Sequence, residues 1–215
     1  MLSENRCLAC ELPCWSDQLC EICFGDVRWQ GEIPGSPAGT LAIAASEHLG
    51  LARDWVHRLK YRAEIRPGKA LGALLAQMVQ DEYAQRRERL PEAIVPVPLH
   101  WRRHLYRGRN QATVIAGPVA RQLERPVWQR VLRRVRPTPS QRTLARSRRL
   151  ENLQGCFQAN AAALAGVQHL ALLDDVYTTG ATMSAAAAAL HAAGVRRVDL
   201  WCATYTPQSH RSRPP

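Results

Sequence analysis

The sequence lacks the features that would place it in several common classes. No run of apolar residues approaches the ~20 that a membrane-spanning helix requires, so bilayer insertion is not expected. The opening residues MLSENRC carry neither a basic stretch nor an apolar core of the kind that directs export, and a cytoplasmic location is expected. No G-x-x-x-x-G-K-[ST] occurs, which excludes a P-loop, and no G-x-G-x-x-G follows an apolar strand, which excludes a Rossmann dinucleotide site. No internal repeat is found. Lysine is nearly absent: Lys60 and Lys69 are the only two. A bias towards arginine codons accounts for that choice of cation but not for where the cations fall.

Their distribution is uneven. The formal charge is +11, and residues 91–160 alone carry +11, with −3 over 1–30, +2 over 31–90 and +1 over 161–215. Arginine grips phosphate through a bidentate fork, so a polyanionic partner such as nucleic acid is a candidate, against codon bias as the plainer reading. With 215 residues and 46% hydrophobic content, the chain suffices for one α/β domain and a small appendage.

Five of the seven cysteines lie in the first 23 residues. Cys7 and Cys10 form one C-x2-C knuckle, Cys20 and Cys23 another, and Cys14 lies between them outside either pair. Each knuckle aims two thiolates at one ion, and four thiolates complete the tetrahedron that Zn²⁺ accepts. So short a segment buries little core of its own, so the metal itself would supply folding free energy. Disulfides are disfavoured in a cytosolic chain. Structural zinc on Cys7, Cys10, Cys20 and Cys23 is expected, and buried thiols at Cys156 and Cys202.

Residues 1–30 therefore read as a zinc-binding knot, 31–40 as a Gly- and Pro-rich linker, 41–206 as the main domain, and 207–215 as a disordered tail. Within the main domain, TLAIAA (40–45) reads as a strand, 50–62 and the segment opening at Pro67 as amphipathic helices, and AIVPVP (93–98) as a short buried strand. NQATVIAGPVARQLE reads as a helix that Pro118 kinks or splits. The arginine-rich stretch 133–151 reads as a hood or lid. HLALLDD reads as a buried central strand, TMSAAAAALHAAG as a helix and VRRVDLWCATY as the next strand, a right-handed βαβ unit with a parallel sheet.

The chemistry concentrates where that strand ends, in DDVYTTGAT. Ligands of open parallel sheets sit beyond the carboxyl ends of the strands. Backbone N–H groups from Thr178 to Thr182, with the threonine hydroxyls, would cradle a phosphate, while Asp174 and Asp175 would accept from a ribose diol. A plain strand-to-helix turn with a capping threonine is the alternative. The combined pattern implies a ribose 5-phosphate.

DDVYTTGAT resembles the 5-phosphoribosyl pyrophosphate (PRPP) signature of type I phosphoribosyltransferases. Together with the two knuckles, LKYR (59–62), VPVPLHWRRHLYRGRNQA (95–112), the spaced set Gln141, Leu144, Arg149, Asn152 and Phe157, and LLDDVYTTGAT, it resembles the ComF/GntX family of competence and DNA-utilisation proteins. The resemblance implies an α/β fold: a type I phosphoribosyltransferase-like parallel sheet flanked by helices, with a four-cysteine zinc knot and an arginine-rich hood. It implies PRPP with Mg²⁺ held by Asp174, Asp175, Val176, Tyr177, Thr178, Thr179, Gly180, Ala181 and Thr182. Two loops are candidates for the pyrophosphate: Lys60–Arg62, and Pro96–His100 with Pro98 and His100. Purine-salvage enzymes of this superfamily place a third acid at the position of Thr178; a hydroxyl there is a poor general base near pH 7.

Trp101 and Tyr106 lie among Arg102, Arg103, Arg107 and Arg109, a pattern able to stack single-stranded bases or to pack under a lid. Three functions are carried forward. The first is a ComF-like protein that binds PRPP and single-stranded DNA in DNA uptake, with a DNA-uptake helicase or another competence protein as partner. The second is an active phosphoribosyltransferase with an unidentified acceptor. The third is a non-enzymatic adaptor with a vestigial PRPP site.

Overall fold

The computed structural model describes residues 5–14, 19–36, 39–62, 64–99, 109–136 and 155–207. Its centre is a five-stranded sheet in the order β1-β2-β7-β6-β3. The strands are β1 (Trp29–Glu32), β2 (Ala42–Glu47), β3 (Ala93–Pro96), β6 (His169–Tyr177) and β7 (Arg197–Tyr205), with a separate antiparallel pair formed by β4 (Leu132–Arg134) and β5 (Phe157–Ala159). β2, β7, β6 and β3 run parallel, and β1 alone is antiparallel, along β2. The apolar run of β6 lies between β7 and β3, as a strand buried on both faces must.

Helices cover both faces. The short α1 (Glu21–Gly25) lies in the cysteine-rich segment, and on one side of the sheet lie α2 (Gly50–Tyr61), α3 (Ile65–Arg86) and α4 (Gln111–Leu123), whose buried residues Trp55, Leu59, Leu71, Leu75 and Ile115 pack on Ile43, Ile94, Leu173 and Trp201. The α2 stripe of Ala52, Trp55, Val56 and Leu59 has the spacing of one helical face. Trp201 is fully buried and meets Tyr83 of α3 edge-on, ring centroids 5.9 Å apart, a geometry worth about 1 kcal/mol beyond area burial. On the other side, α5 (Ala181–Ala192) and the β4–β5 pair cover Val95, Leu172, Leu200 and Cys202.

Several sequence expectations meet the structure in detail. The helix through Pro118 is continuous over Gln111–Leu123 rather than split. It lies so close to α3 that a Cβ on Gly72 would collide with the Ile115 carbonyl oxygen and the Pro118 ring. β1 runs across the expected boundary between knot and linker, so residues 29–32 belong to the sheet. The knot is not set apart from the core: Cys7, Ala9, Leu19, Cys23 and Val27 are buried in the same cluster as α2 and α3. Of the arginine-rich hood, residues 133–136 are described, and β4 and β5 pair its two flanks through Arg134 and Phe157. Residues 137–154 and 208–215, with the expected tail, lie outside the described residues. Among the described residues no helix is long and apolar enough to cross a membrane.

Candidate functional site

Because four strands are parallel, their carboxyl ends share one rim: Glu47 of β2, Tyr205 of β7, Tyr177 of β6 and Pro96 of β3. Asp174 and Asp175 are set on β6 just short of that rim, and strand alternation sends their side chains to opposite faces. Asp175 turns towards α2, where Lys60 Nζ lies 2.9 Å from its Oδ2. Asp174 takes the other face, and its Oδ1 accepts from the Asp175 backbone N–H at 2.8 Å. Burial, reinforced by the neighbouring Asp175 charge, raises the Asp174 carboxyl to about 7 against the pull of that N–H, Lys60 and Arg134.

Beyond Tyr177 the chain makes three bends and enters α5. Gly180 sits at φ +73° as the residue before the helix, and no side chain caps the helix start. A Cβ there would strike the Tyr177 ring, so both conformation and space require glycine. Thr179 Oγ1 accepts weakly from the Ala181 N–H at 3.5 Å. Thr178, Thr179 and Thr182 are partly exposed, Ala181 is buried, and the half-buried Val176 packs towards the α2–α3 side. Amides at an open helix start beside hydroxyls have the chemistry of an anion cradle.

The structure brings both candidate pyrophosphate loops to this rim. Lys60, in the last turn of α2, reaches Asp175, whereas Tyr61 and Arg62 beside it are exposed. On the far side the Val97 N–H donates to the Leu173 carbonyl at 2.8 Å, one residue past the end of β3. Asn110 Nδ2 donates to the Val97 carbonyl at 2.9 Å and its Oδ1 caps α4 through the Ala112 N–H, tying the VPVP turn to that helix. Arg109 is exposed immediately before it. His100, Trp101, Arg102, Arg103, Tyr106 and Arg107 lie outside the described residues.

Two rim residues escaped the sequence reading. His48, directly after β2, bonds through Nδ1 to Thr204 Oγ1 at 2.8 Å, and Thr204 donates to the Asp175 carbonyl at 3.4 Å. Burial and the Lys60 ammonium lower the pKa of His48. Its signal was positional: a polar residue between an apolar strand and a helix start, the same rule that singled out Asp174.

The second site is the knot. The Sγ atoms of Cys7, Cys10, Cys20 and Cys23 all lie within 4.8 Å of one another, with Cys10 and Cys20 at 3.7 Å. A tetrahedron of sulfurs about 2.3 Å from a central ion has edges of about 3.8 Å, so this cluster is of a size to hold one. Backbone N–H groups donate to the sulfurs, Ala9 to Cys7 at 3.4 Å and Cys23 to Cys20 at 3.5 Å. Burial works against ionisation of Cys7, but backbone donors outweigh it and bring that thiol down to about 6, while burial and the adjacent sulfurs push Cys23 up. Four thiols confined together cannot all ionise without a cation. Cys156 and Cys202 are buried elsewhere in the core.

A mixed α/β domain on a mainly parallel sheet, with an acidic pair and a hydroxyl loop at its carboxyl rim and a four-cysteine cluster packed against one helical layer, defines the class of the molecule. No family model matches the chain. Curated relatives cover it nearly end to end. It is 32% identical over 200 residues to the DNA utilization protein YhgH of Escherichia coli, spanning 93% of this chain and 83% of that one. To YhgH of Salmonella typhi it is 30% identical over 219 residues, 91% and 95% of the two chains. To Competence protein F of Haemophilus influenzae it is 28% identical over 204 residues, 92% and 89%. The chain belongs to the ComF family. Among solved structures, the glutamine PRPP amidotransferase of B. subtilis, complexed with ADP and GMP, is similar at TM-score 0.41 and 18% identity, over 63% of this chain and 26% of that one.

Proposed function

We propose that this protein binds PRPP with Mg²⁺ at the rim formed by Asp174–Thr182, holds a structural Zn²⁺ on its four-cysteine cluster, and serves DNA uptake or utilisation by contacting single-stranded DNA. The observation that carries the reading is the loop itself. Two carboxylates lie two and three residues before the end of a buried parallel strand, and a glycine held at φ +73° against a tyrosine ring turns the following amides into a helix start. Asp174 and Asp175 would accept from the ribose hydroxyls, and Thr178 to Thr182 would hold the 5-phosphate. The bound Mg²⁺ would supply charge neutralisation between ribose and pyrophosphate. The part in DNA handling is supported by the names of the relatives, a competence protein and DNA utilization proteins, and by the concentration of arginine between 91 and 160. Zinc is supported by the all-thiol donor set and the 3.7 Å sulfur spacing.

Calorimetric titration of the full chain with PRPP and Mg²⁺ tests the ligand. Saturable one-site binding, stronger than for ribose 5-phosphate, is expected, and no heat with PRPP overturns the reading. Elemental analysis of the same protein should return one zinc per chain, lost in Cys20→Ser. Anisotropy of a labelled single strand should fall with salt at a log–log slope of about −0.7 per phosphate contact.

A further inference from the structure

The buried stripe of α2 leaves a second line of side chains facing solvent. Ala52, Trp55, Val56 and Leu59 enter the core, whereas Arg53, His57 and Tyr61, spaced at i, i+4 and i+8, follow one another along the exposed side. The His57 and Tyr61 rings stand together, centroids 4.7 Å apart and tilted by 43°, and Tyr61 is 49% exposed. Of the other described tyrosines, Tyr83 and Tyr205 are buried and Tyr177 is half-buried against Gly180. A ring pair at i, i+4 steadies a helix a little wherever it falls, but that does not account for the charges around this one.

The carboxylates of this surface are taken. Asp54 and Glu64 face Arg58 at 3.8 and 2.6 Å, and Asp175 holds Lys60 at 2.9 Å. Arg53 and Arg62, exposed at the two ends of the line, are in no ion pair among the described residues. Two rings open to solvent therefore lie between two uncompensated guanidinium groups. A ring face stacks on any base, and a guanidinium grips phosphate through its fork. At 1.5 Å rise per residue the line from Arg53 to Tyr61 is about 12 Å long, enough for a short run of nucleotides. A duplex keeps its base faces inside its own stack, so only an unpaired strand presents what the rings take. Lys60, directly before Tyr61, reaches Asp175, so the line ends at the edge of the rim.

We propose that the exposed line Arg53, His57 and Tyr61 of α2, with Arg62 at its end, is a stacking platform for unpaired bases of single-stranded DNA. The proposal rests on the single-strand reading above and assigns a contact to α2, outside the arginine-rich residues 91–160.

Fluorescence anisotropy with two labelled strands tests it on the full chain: oligo-dT, and an abasic strand of the same length that keeps the phosphates and lacks the bases. Wild type is expected to bind oligo-dT about tenfold or more tightly than the abasic strand. His57→Ala with Tyr61→Ala should bring oligo-dT down to the abasic level and leave the salt slope as it is. His57→Phe with Tyr61→Phe should keep the preference for bases. Arg53→Ala should also keep it, and make the log–log salt slope shallower by about 0.7, the loss of one phosphate contact. Tyr61→Gln alone serves if circular dichroism shows that the double alanine variant does not fold. A folded ring variant that still prefers oligo-dT overturns the proposal, as does wild type that binds both strands alike. Rings that served only to steady α2 would lower the melting temperature when removed and leave the preference for bases untouched. No binding of either strand by wild type at low salt removes the single-strand reading itself, and this proposal with it.

Discussion

At the end of the sheet where β6 and β7 begin, Asp199 is fully buried and accepts from four donors. They are Tyr83 Oη at 2.5 Å, His169 Nε2 at 2.6 Å, the Leu41 N–H at 2.9 Å and Arg197 Nε at 3.0 Å. At the opposite end, Asp174 has the neighbouring Asp175 amide at 2.8 Å, and Asp175 has Lys60. Burial acts on both ends in the same direction, raising a carboxyl pKa. At Asp199 the hydrogen bonds from His169, Arg197 and Tyr83 overcome it and the pKa falls; at Asp174 they do not, and it rises to about 7. Four donors in a closed network spend their binding capacity on the fold. A carboxylate left with one short-range donor keeps its remaining lone pairs for a ligand, at a cost in stability.

That contrast breaks most visibly at Asp199. Asp199→Ala strips the partner from Arg197, His169 and Tyr83 and should lower unfolding free energy by about 3 kcal/mol, the scale for opening a buried ion pair, measured by urea denaturation. PRPP affinity in the fraction that stays folded should be unchanged. The reverse pattern belongs to the rim. Asp174→Asn and Asp175→Asn should each weaken PRPP binding by ~2 kcal/mol, as for loss of a charged hydrogen-bond partner, read by calorimetry. Wild-type PRPP affinity in both variants would remove the rim from the comparison. Gly180→Ala puts a non-glycine residue into a left-handed conformation that costs it about 1 kcal/mol and drives a methyl group into Tyr177. It should weaken PRPP binding and leave ribose-diol contacts to Asp174 as the residual, with melting temperature lowered slightly.

A further contrast lies in pH. Asp174 has a folded pKa raised from 3.8 to about 7, so the native state binds the proton more tightly than the unfolded chain. Its contribution is fully present below about 4 and is lost as pH rises through about 7. Asp199, with a lowered folded pKa, contributes above its unfolded value and loses that contribution as pH falls below it. Stability profiles from pH 3 to 8 should therefore diverge in opposite directions. Asp174→Asn should gain on wild type as pH rises from about 4 to about 7, and Asp199→Ala should close the gap with wild type at the acid end. Parallel profiles would show that the two carboxylates titrate alike.

How much of this could be read from the linear chain follows from contact range. The knuckles at Cys7–Cys10 and Cys20–Cys23 are local, since two residues between cysteines fix a turn whatever surrounds it. The order of strand, acidic pair, glycine turn and helix over 169–192 is likewise carried by neighbours in sequence, because apolar runs, a positive-φ glycine and an alanine-rich helix each obey short-range rules. Pro118 shows the limit: propensity predicts a kink or a split, and the helix is not split but runs on through Pro118 where α4 packs closely on Gly72 of α3.

By itself, then, the sequence determined the strands β2, β3, β6 and β7, which four thiols gather, and the placing of an acidic pair and a glycine turn on β6, because those depend on residues a few positions apart; the short strands β1, β4 and β5 carried no such signal. Tertiary structure alone decided that Lys60 neutralises Asp175, that His48 bonds Thr204 across 156 residues, and that Tyr83 closes on Asp199 across 116. No periodicity encodes such partners. They meet only when parallel strands from distant parts of the chain come into register and α2 and α3 pack across them, bringing charged groups into a low-dielectric space where each must find its counterpart.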